Sequence, residues 1–217
     1  MRSLSTGATG MMAQQLNVEV ISNNIANMST TAFKRQRAEF QDLLYQNLRR
    51  PGSTSSDANT IVPSGIQIGV GVRAAGVYRI HEQGNLTTTG NSYDIAINGK
   101  GFYQVTLPSG ETAYTRAGSF QVDGQGQLVT VDGYQLQPGI AVPQGALSVS
   151  IDATGIVEAR IAGQAQPQQL GQIQLAPFIN EAGLEATGDN LFLETPASGQ
   201  PTVDNPNAAG FGTLRQG

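Results

Sequence analysis

Leu4, Ala8, Met11, Val18, Ile21, Ile25 and Met28 recur at intervals of three, four or seven residues, a spacing that lines apolar side chains along one face of a helix. The period predicts a helix from Leu4 to Asn27. Gly7 and Gly10 weaken its first turns, and Ser22, Asn23, Asn24 and Asn27 crowd its last ones, where asparagine favours caps over helix interiors. A stripe at heptad spacing is stabilised by a facing helix. Almost everything after Pro51 reads as strand and turn, so that facing helix is expected from another chain.

A second amphipathic piece, Phe33 to Leu48, places Phe33, Arg37, Phe40, Leu44 and Leu48 on one strip and is expected to be helical, at least in part. Arg49 to Val72 then changes character, with Pro51-Gly52-Ser53-Thr54-Ser55-Ser56 followed by Pro63-Ser64-Gly65. A long polar stretch without a helix period is a linker, or an arm that packs on something outside its own domain. The alternation from Ile66 to Val72 gives its end the look of an edge strand.

Beyond Arg73 the pattern is β. Tyr93 to Ile97 alternates and meets Asn98-Gly99, a signal for a two-residue hairpin into Phe102 to Leu107. Asp123-Gly124-Gln125-Gly126 and Asp152-Ala153-Thr154-Gly155 each sit between two apolar runs. In both, the Asp is placed to accept backbone N–H groups and the Gly to close the turn. Neither loop offers the six to eight oxygens of a calcium site. The expected fold is mainly β with a long N-terminal α-helix: residues 1–44 a helical segment, 45–72 an extended arm, and 73–217 an antiparallel β-rich body.

Little in the composition favours chemistry. The chain has no cysteine, which removes disulfides, thiolate metal sites and thiol nucleophiles, and His81 is its single histidine. No G-x-S-x-G elbow accompanies that histidine, and Gly99-Lys100-Gly101 lacks the flanking residues of a phosphate loop. Asp94, Glu111, Asp123 and Asp132 lie near strands, but their spacing singles out no acid pair. A net charge of −4 argues against nucleic acid, and Lys34-Arg35-Gln36-Arg37 reads as a solvated cluster. No cofactor and no small-molecule substrate are expected. What remains is surface for assembly: a helix face without a mate, an arm and strand edges.

Four ordered stretches carry a resemblance. Gln14-Gln15-Leu16-Asn17-Val18-Glu19-Val20-Ile21-Ser22-Asn23-Asn24-Ile25-Ala26-Asn27, followed by Phe33-Lys34-Arg35-Gln36, is the first. Gly84-Asn85-Leu86 with Asp94 to Phe102 comes next, then Tyr114 to Phe120, then Gly126 to Thr130. Together they resemble the bacterial flagellar rod and hook axial proteins over nearly the whole length, and the stretch Tyr45 to Val72 is similar to the insertion of the family's distal-rod branch. Ala32 stands where the family usually has Gly, so the turn after the helix is expected to be less sharp. The family also carries a second long helix after its β body, and none is written before Gly217.

The resemblance implies a structural, non-enzymatic subunit of a helical homopolymer that passes motor torque to the hook. It implies export through the flagellar export apparatus without a cleavable signal, and a periplasmic place in the basal body inside the L/P-ring bushing. Partners would be copies of itself, other rod proteins and the hook subunit. Met11, Val18, Ile21, Ile25 and Phe33 would bury against neighbouring subunits, with Asn23, Asn24 and Asn27 hydrogen-bonding across them; Arg49, Arg50, Pro51, Pro63 and Gly65 belong to the arm. The alternatives are a proximal-rod or hook subunit, and a rod-associated cell-wall hydrolase, which would need a cleft with paired carboxylates.

Overall fold

In the computed structural model, residues 2–49 and 66–217 are described, and they divide by contact into two compact units: residues 1–29 with 34–80, and residues 30–33 with 81–217. The first is built on helix α1 (Arg2–Ala26), in agreement with the apolar period. Strands β1 (Gln36–Asp42), β2 (Tyr45–Arg49), β3 (Ile66–Gly69) and β4 (Val72–Arg79) follow. β1 pairs antiparallel with β4 from Gln36 opposite Arg79 to Asp42 opposite Val72, and β2 pairs with β3 from Tyr45 opposite Gly69 to Arg49 opposite Ile66. The Leu43 N–H donates to the Gly71 carbonyl between the two pairs.

The helix expected over Phe33 to Leu48 is therefore replaced by two strands. In β1 the side chains of Gln36, Ala38 and Phe40 are half-buried while Arg37, Glu39 and Gln41 are exposed, a period of two that hides within a strip of period 3.5 when so few residues are apolar. What decides for strand is a partner, β4, thirty or more residues away. Arg50, Pro51, Pro63 and Gly65 lie outside the described residues, and Arg49 is the last residue of β2.

The second unit holds strands β5 (Ile95–Asn98), β6 (Tyr103–Thr106), β7 (Thr112–Thr115), β8 (Phe120–Val122), β9 (Leu128–Thr130) and β10 (Gln135–Gln137). These are followed by β11 (Ala146–Ile151), β12 (Ile156–Ile161), β13 (Gln168–Gln172), β14 (Glu185–Gly188), β15 (Leu191–Leu193) and β16 (Thr213–Gln216). A seven-stranded antiparallel sheet runs in the order β14-β15-β7-β6-β10-β9-β8, beside a three-stranded sheet β11-β12-β13 and the pair β16-β5. The main core gathers Ile95, Tyr103, Phe120, Leu128, Leu136 and Val157 from all three. A second cluster of Phe102, Tyr114, Phe178, Leu184 and Phe192 is aromatic, with rings meeting edge-on at 4.8 to 5.8 Å, the favoured arrangement for such pairs.

Both Asp turns close hairpins as expected, β8 with β9 and β11 with β12. The Asp123 carboxylate accepts the N–H groups of Gln125 and Gln127 at 2.8 Å, and that of Asp152 those of Thr154 and Ile156 at 2.9 and 3.0 Å. The Asn98-Gly99 hairpin does not form. β5 pairs with β16, and β6 with β7 and β10. A type I′ turn needs positive φ at both central residues, yet Asn98 is extended strand and the positive values fall on Gly99 and Gly101, at 113° and 130°. The chain there crosses from one sheet to another, and the Lys100 carbonyl accepts the Gly212 N–H. The two-residue turn of left-handed residues is instead Asp189-Asn190, with φ of 51° and 57°, joining β14 to β15.

Candidate assembly surface

Helix α1 turns only a narrow line of side chains toward its own unit. Ala13 and Val20, seven residues apart, are buried, and the helix packs on β1 and β4. The Thr9 hydroxyl donates to the Thr6 carbonyl and accepts the Val72 N–H. The predicted stripe lies elsewhere on the helix surface. Leu4, Met11, Val18 and Ile25, at exact heptad spacing, are 60 to 72% exposed, Ile21 is 47% and Met28 80%. Gly7, Gly10, Met11, Gln14 and Val18 line an apolar groove of about 650 Å³ on this side. A continuous exposed strip of large apolar side chains marks a surface used for association.

The asparagines divide by role. Asn24 is half-buried, and its carboxamide donates to the Gln36 carbonyl and accepts the Gln36 N–H. It thus closes the path from helix to strand within its own unit. Asn27 donates from its side chain to the Asn23 carbonyl, which also accepts the Asn27 N–H, capping the last turn. Asn23 keeps its side chain exposed. Phe33 is half-buried, and its N–H donates to the Thr30 carbonyl across a turn in which Ala32 adopts φ of 61°. That is the left-handed region. The turn keeps a glycine-type conformation at this alanine instead of opening out.

In the second unit the stretches singled out by sequence meet in space. The Arg116 guanidinium reaches back to the carbonyls of Gly99 and Gly101 at 2.8 and 3.0 Å and to the Gln83 side chain at 3.2 Å. It lies 5.8 Å from the Phe102 ring centroid, a cation over an aromatic face. Burial lowers its pKa, against an opposing pull from Glu181 and then Tyr103. Gly101 needs its glycine because a Cβ would stand 3.1 Å from that of Leu175, on a φ that L side chains rarely adopt. His81 packs against the rings of Phe102 and Phe192, with Nδ1 3.6 Å from a Glu181 carboxylate oxygen. This aromatic seat brings together residues far apart in sequence, so no local pattern around His81 signals it.

Two family descriptions match the chain: "Flagella basal body rod protein" over residues 4–34, and "Flagellar hook protein FlgE/F/G D1 domain" over residues 96–159. The flagellar basal-body rod protein FlgG of Caulobacter vibrioides is 62% identical over 216 residues, spanning 100% of this chain and 82% of that protein. The chain belongs to the FlgG family of flagellar basal-body rod proteins. The FlgG of Bacillus subtilis is 37% identical over 222 residues, covering 100% of this chain and 83% of its own length. The flagellar hook protein FlgE of Treponema pallidum is 43% identical over 143 residues, which is 65% of this chain and 30% of the hook protein. The rod-protein description covers the helix and its exposed stripe; the D1-domain description runs from within β5 to within β12 and includes Arg116. Among the described residues no helix is long and apolar enough to cross a membrane.

Proposed function

We propose that this chain is a structural subunit of the distal flagellar rod, which polymerises with copies of itself into the shaft that carries torque to the hook. The observation that carries the reading is the stripe Leu4, Met11, Val18 and Ile25, exposed on a helix that buries only Ala13 and Val20 fully, in a chain of the FlgG family. Fully burying such side chains stabilises a contact by about 1.5 to 3 kcal/mol each. Met11, Val18, Ile21, Ile25, Asn23 and Phe33 would contribute to subunit contacts, with Asn24 and Asn27 shaping the end of the helix. The arm at 45–72 would pack on neighbouring subunits, other rod proteins or the L/P-ring bushing, after export without a cleavable signal. The reading assigns no catalytic step.

The test is polymerisation. Val18→Asp and Ile25→Asp place charges on the stripe. They are expected to leave the β body folded by circular dichroism and to abolish tubes seen by electron microscopy; tubes formed by the double variant would refute the proposal. A hook-type subunit is the less supported alternative, resting on the Treponema pallidum match over 65% of this chain. Deleting 45–72 separates the two: a curved polymer supports the rod assignment, a straight one counts against it.

A further inference from the structure

The seven-stranded sheet is charged differently at its two ends. The β6–β7 turn, the β9–β10 turn and the outer ends of β14 and β15 share one end, since Thr106 lies opposite both Thr112 and Gln135 and Glu185 lies opposite Leu193. Glu111, Asp132, Glu185 and Glu194 are exposed there. No Lys or Arg occurs within 104–115, 128–137 or 184–195. At the far end of the same central strands, Gly99-Lys100-Gly101 leads into β6 and Arg116 follows β7, Tyr103 standing opposite Thr115. Asp189 and Asp123 also turn at that end, on the β14–β15 and β8–β9 hairpins, so it is mixed in charge where the other end carries acids alone.

A cavity of about 360 Å³ opens between Lys100, Arg116, His81, Phe178, Ile179 and Glu181. Arg116 spends its hydrogen bonds on neutral acceptors, and among the described residues neither it nor Lys100 has a carboxylate within ion-pair distance. Glu181, the one acid in the cavity wall, faces His81 at 3.6 Å. The cavity thus carries two cations against one carboxylate, and Ile179 at its rim is 96% exposed. A ligand suited to it has a carboxylate beside an apolar group, on something that protrudes.

The acidic end presents such a group. Val131 is 67% exposed at the β9–β10 turn, next to exposed Asp132. Glu111 is engaged with the Ser109 hydroxyl at 3.3 Å, and Glu185 and Glu194 adjoin no large exposed apolar side chain. We infer that the Lys100–Arg116 cavity of one copy receives the Val131-Asp132 turn of the next, with Asp132 against Lys100 and Val131 against Ile179, so that β bodies stack end to end. The occupant is a second copy of this chain, and the contact is heterologous, the kind that extends into an open filament. It rests on the reading of the chain as a self-polymerising subunit.

The absence of cysteine makes the test clean. Full chains carrying Val131→Cys and Ile179→Cys are mixed under mild oxidation, and dimer is read on a non-reducing gel. The mixture is expected to cross-link several-fold more than either variant alone, and less as salt rises. Adding Lys100→Glu to the Ile179→Cys chain should cut the yield about five- to tenfold, and adding Asp132→Lys to its partner should restore it. Melting curves of the single variants confirm that both fold. Equal yields for mixed and single variants, or indifference to Lys100→Glu, overturn the contact. Tubes that form in the wild type yet cross-link at neither position overturn this contact alone, whereas failure of the wild type to form tubes counts against the rod reading and leaves the cross-link to judge the pair.

Discussion

Asn24 and Gln36 are joined by two hydrogen bonds of 2.8 Å, the carboxamide of one reading both backbone groups of the other. This pairing substitutes for a strand neighbour at the start of β1 and fixes where the chain leaves the helix. Asn24→Ala is expected to cost about 1 to 3 kcal/mol, because both Gln36 groups lose their partner in a part-buried place. Hydrogen exchange at the Gln36 amide should quicken in the variant. Asn24→Asp, which keeps the acceptor and loses the donor, should fall between.

Ala32 holds φ of 61° in the Thr30–Phe33 turn, where a Cβ is unfavourable by about 1 to 2 kcal/mol. Ala32→Gly relieves that strain and adds freedom to the unfolded chain, which offsets part of the gain. A net stabilisation of about 0.5 to 1 kcal/mol is expected from urea unfolding. A destabilised variant would mean that the turn is not left-handed.

Gly118 is buried against the Ile95 carbonyl, and a Cβ there would overlap that oxygen. The same carbonyl accepts the Tyr103 hydroxyl at 2.8 Å, while the Ile95 N–H donates to the Gly118 carbonyl. Gly118→Ala has no room to relax and should cost at least about 3 kcal/mol, enough to lower the yield of folded chain. Gly124→Ala, in a turn with open space around it, is the control and should change stability little.

Burial alone would raise the Asp152 pKa, but hydrogen bonds from the Thr154 hydroxyl and from the backbone of Ile156, Thr154 and Gly155 together hold it below its ordinary value of 3.8. With the folded value depressed, the stabilisation is present above 3.8 and is lost as pH falls through the folded value. Asp152→Asn should unfold at a pH-independent disadvantage above pH 5 that shrinks in acid. Thermal melts from pH 2 to 7 measure it. A gap that widens in acid would reverse the sign and refute the assignment.

The helix was legible because its period runs for seven turns, and the Asp turns because their chemistry is local. β1 and β2 were not, since their partners lie across a long insertion and the few apolar residues fit either period. Asn98-Gly99 misled for a related reason: the dipeptide is suited to a tight turn, but β16, more than a hundred residues later, takes the edge of β5. Of the assembly surface, the exposed apolar stripe was readable from spacing. The inward commitment of Asn24, and the convergence of Lys100 with Arg116, depend on contacts between distant segments that no local pattern records.

The four acids at one end of the sheet and the Lys100 turn at the other give each body a head and a tail. An array that keeps its bodies parallel inherits that direction. Its two termini are then chemically unlike, one presenting carboxylates alone and the other Lys100 and Arg116 among Asp123, Asp189 and Glu181. Such termini can accept the next copy at different rates, and because each addition closes the same charged contact, ionic strength acts on growth at both.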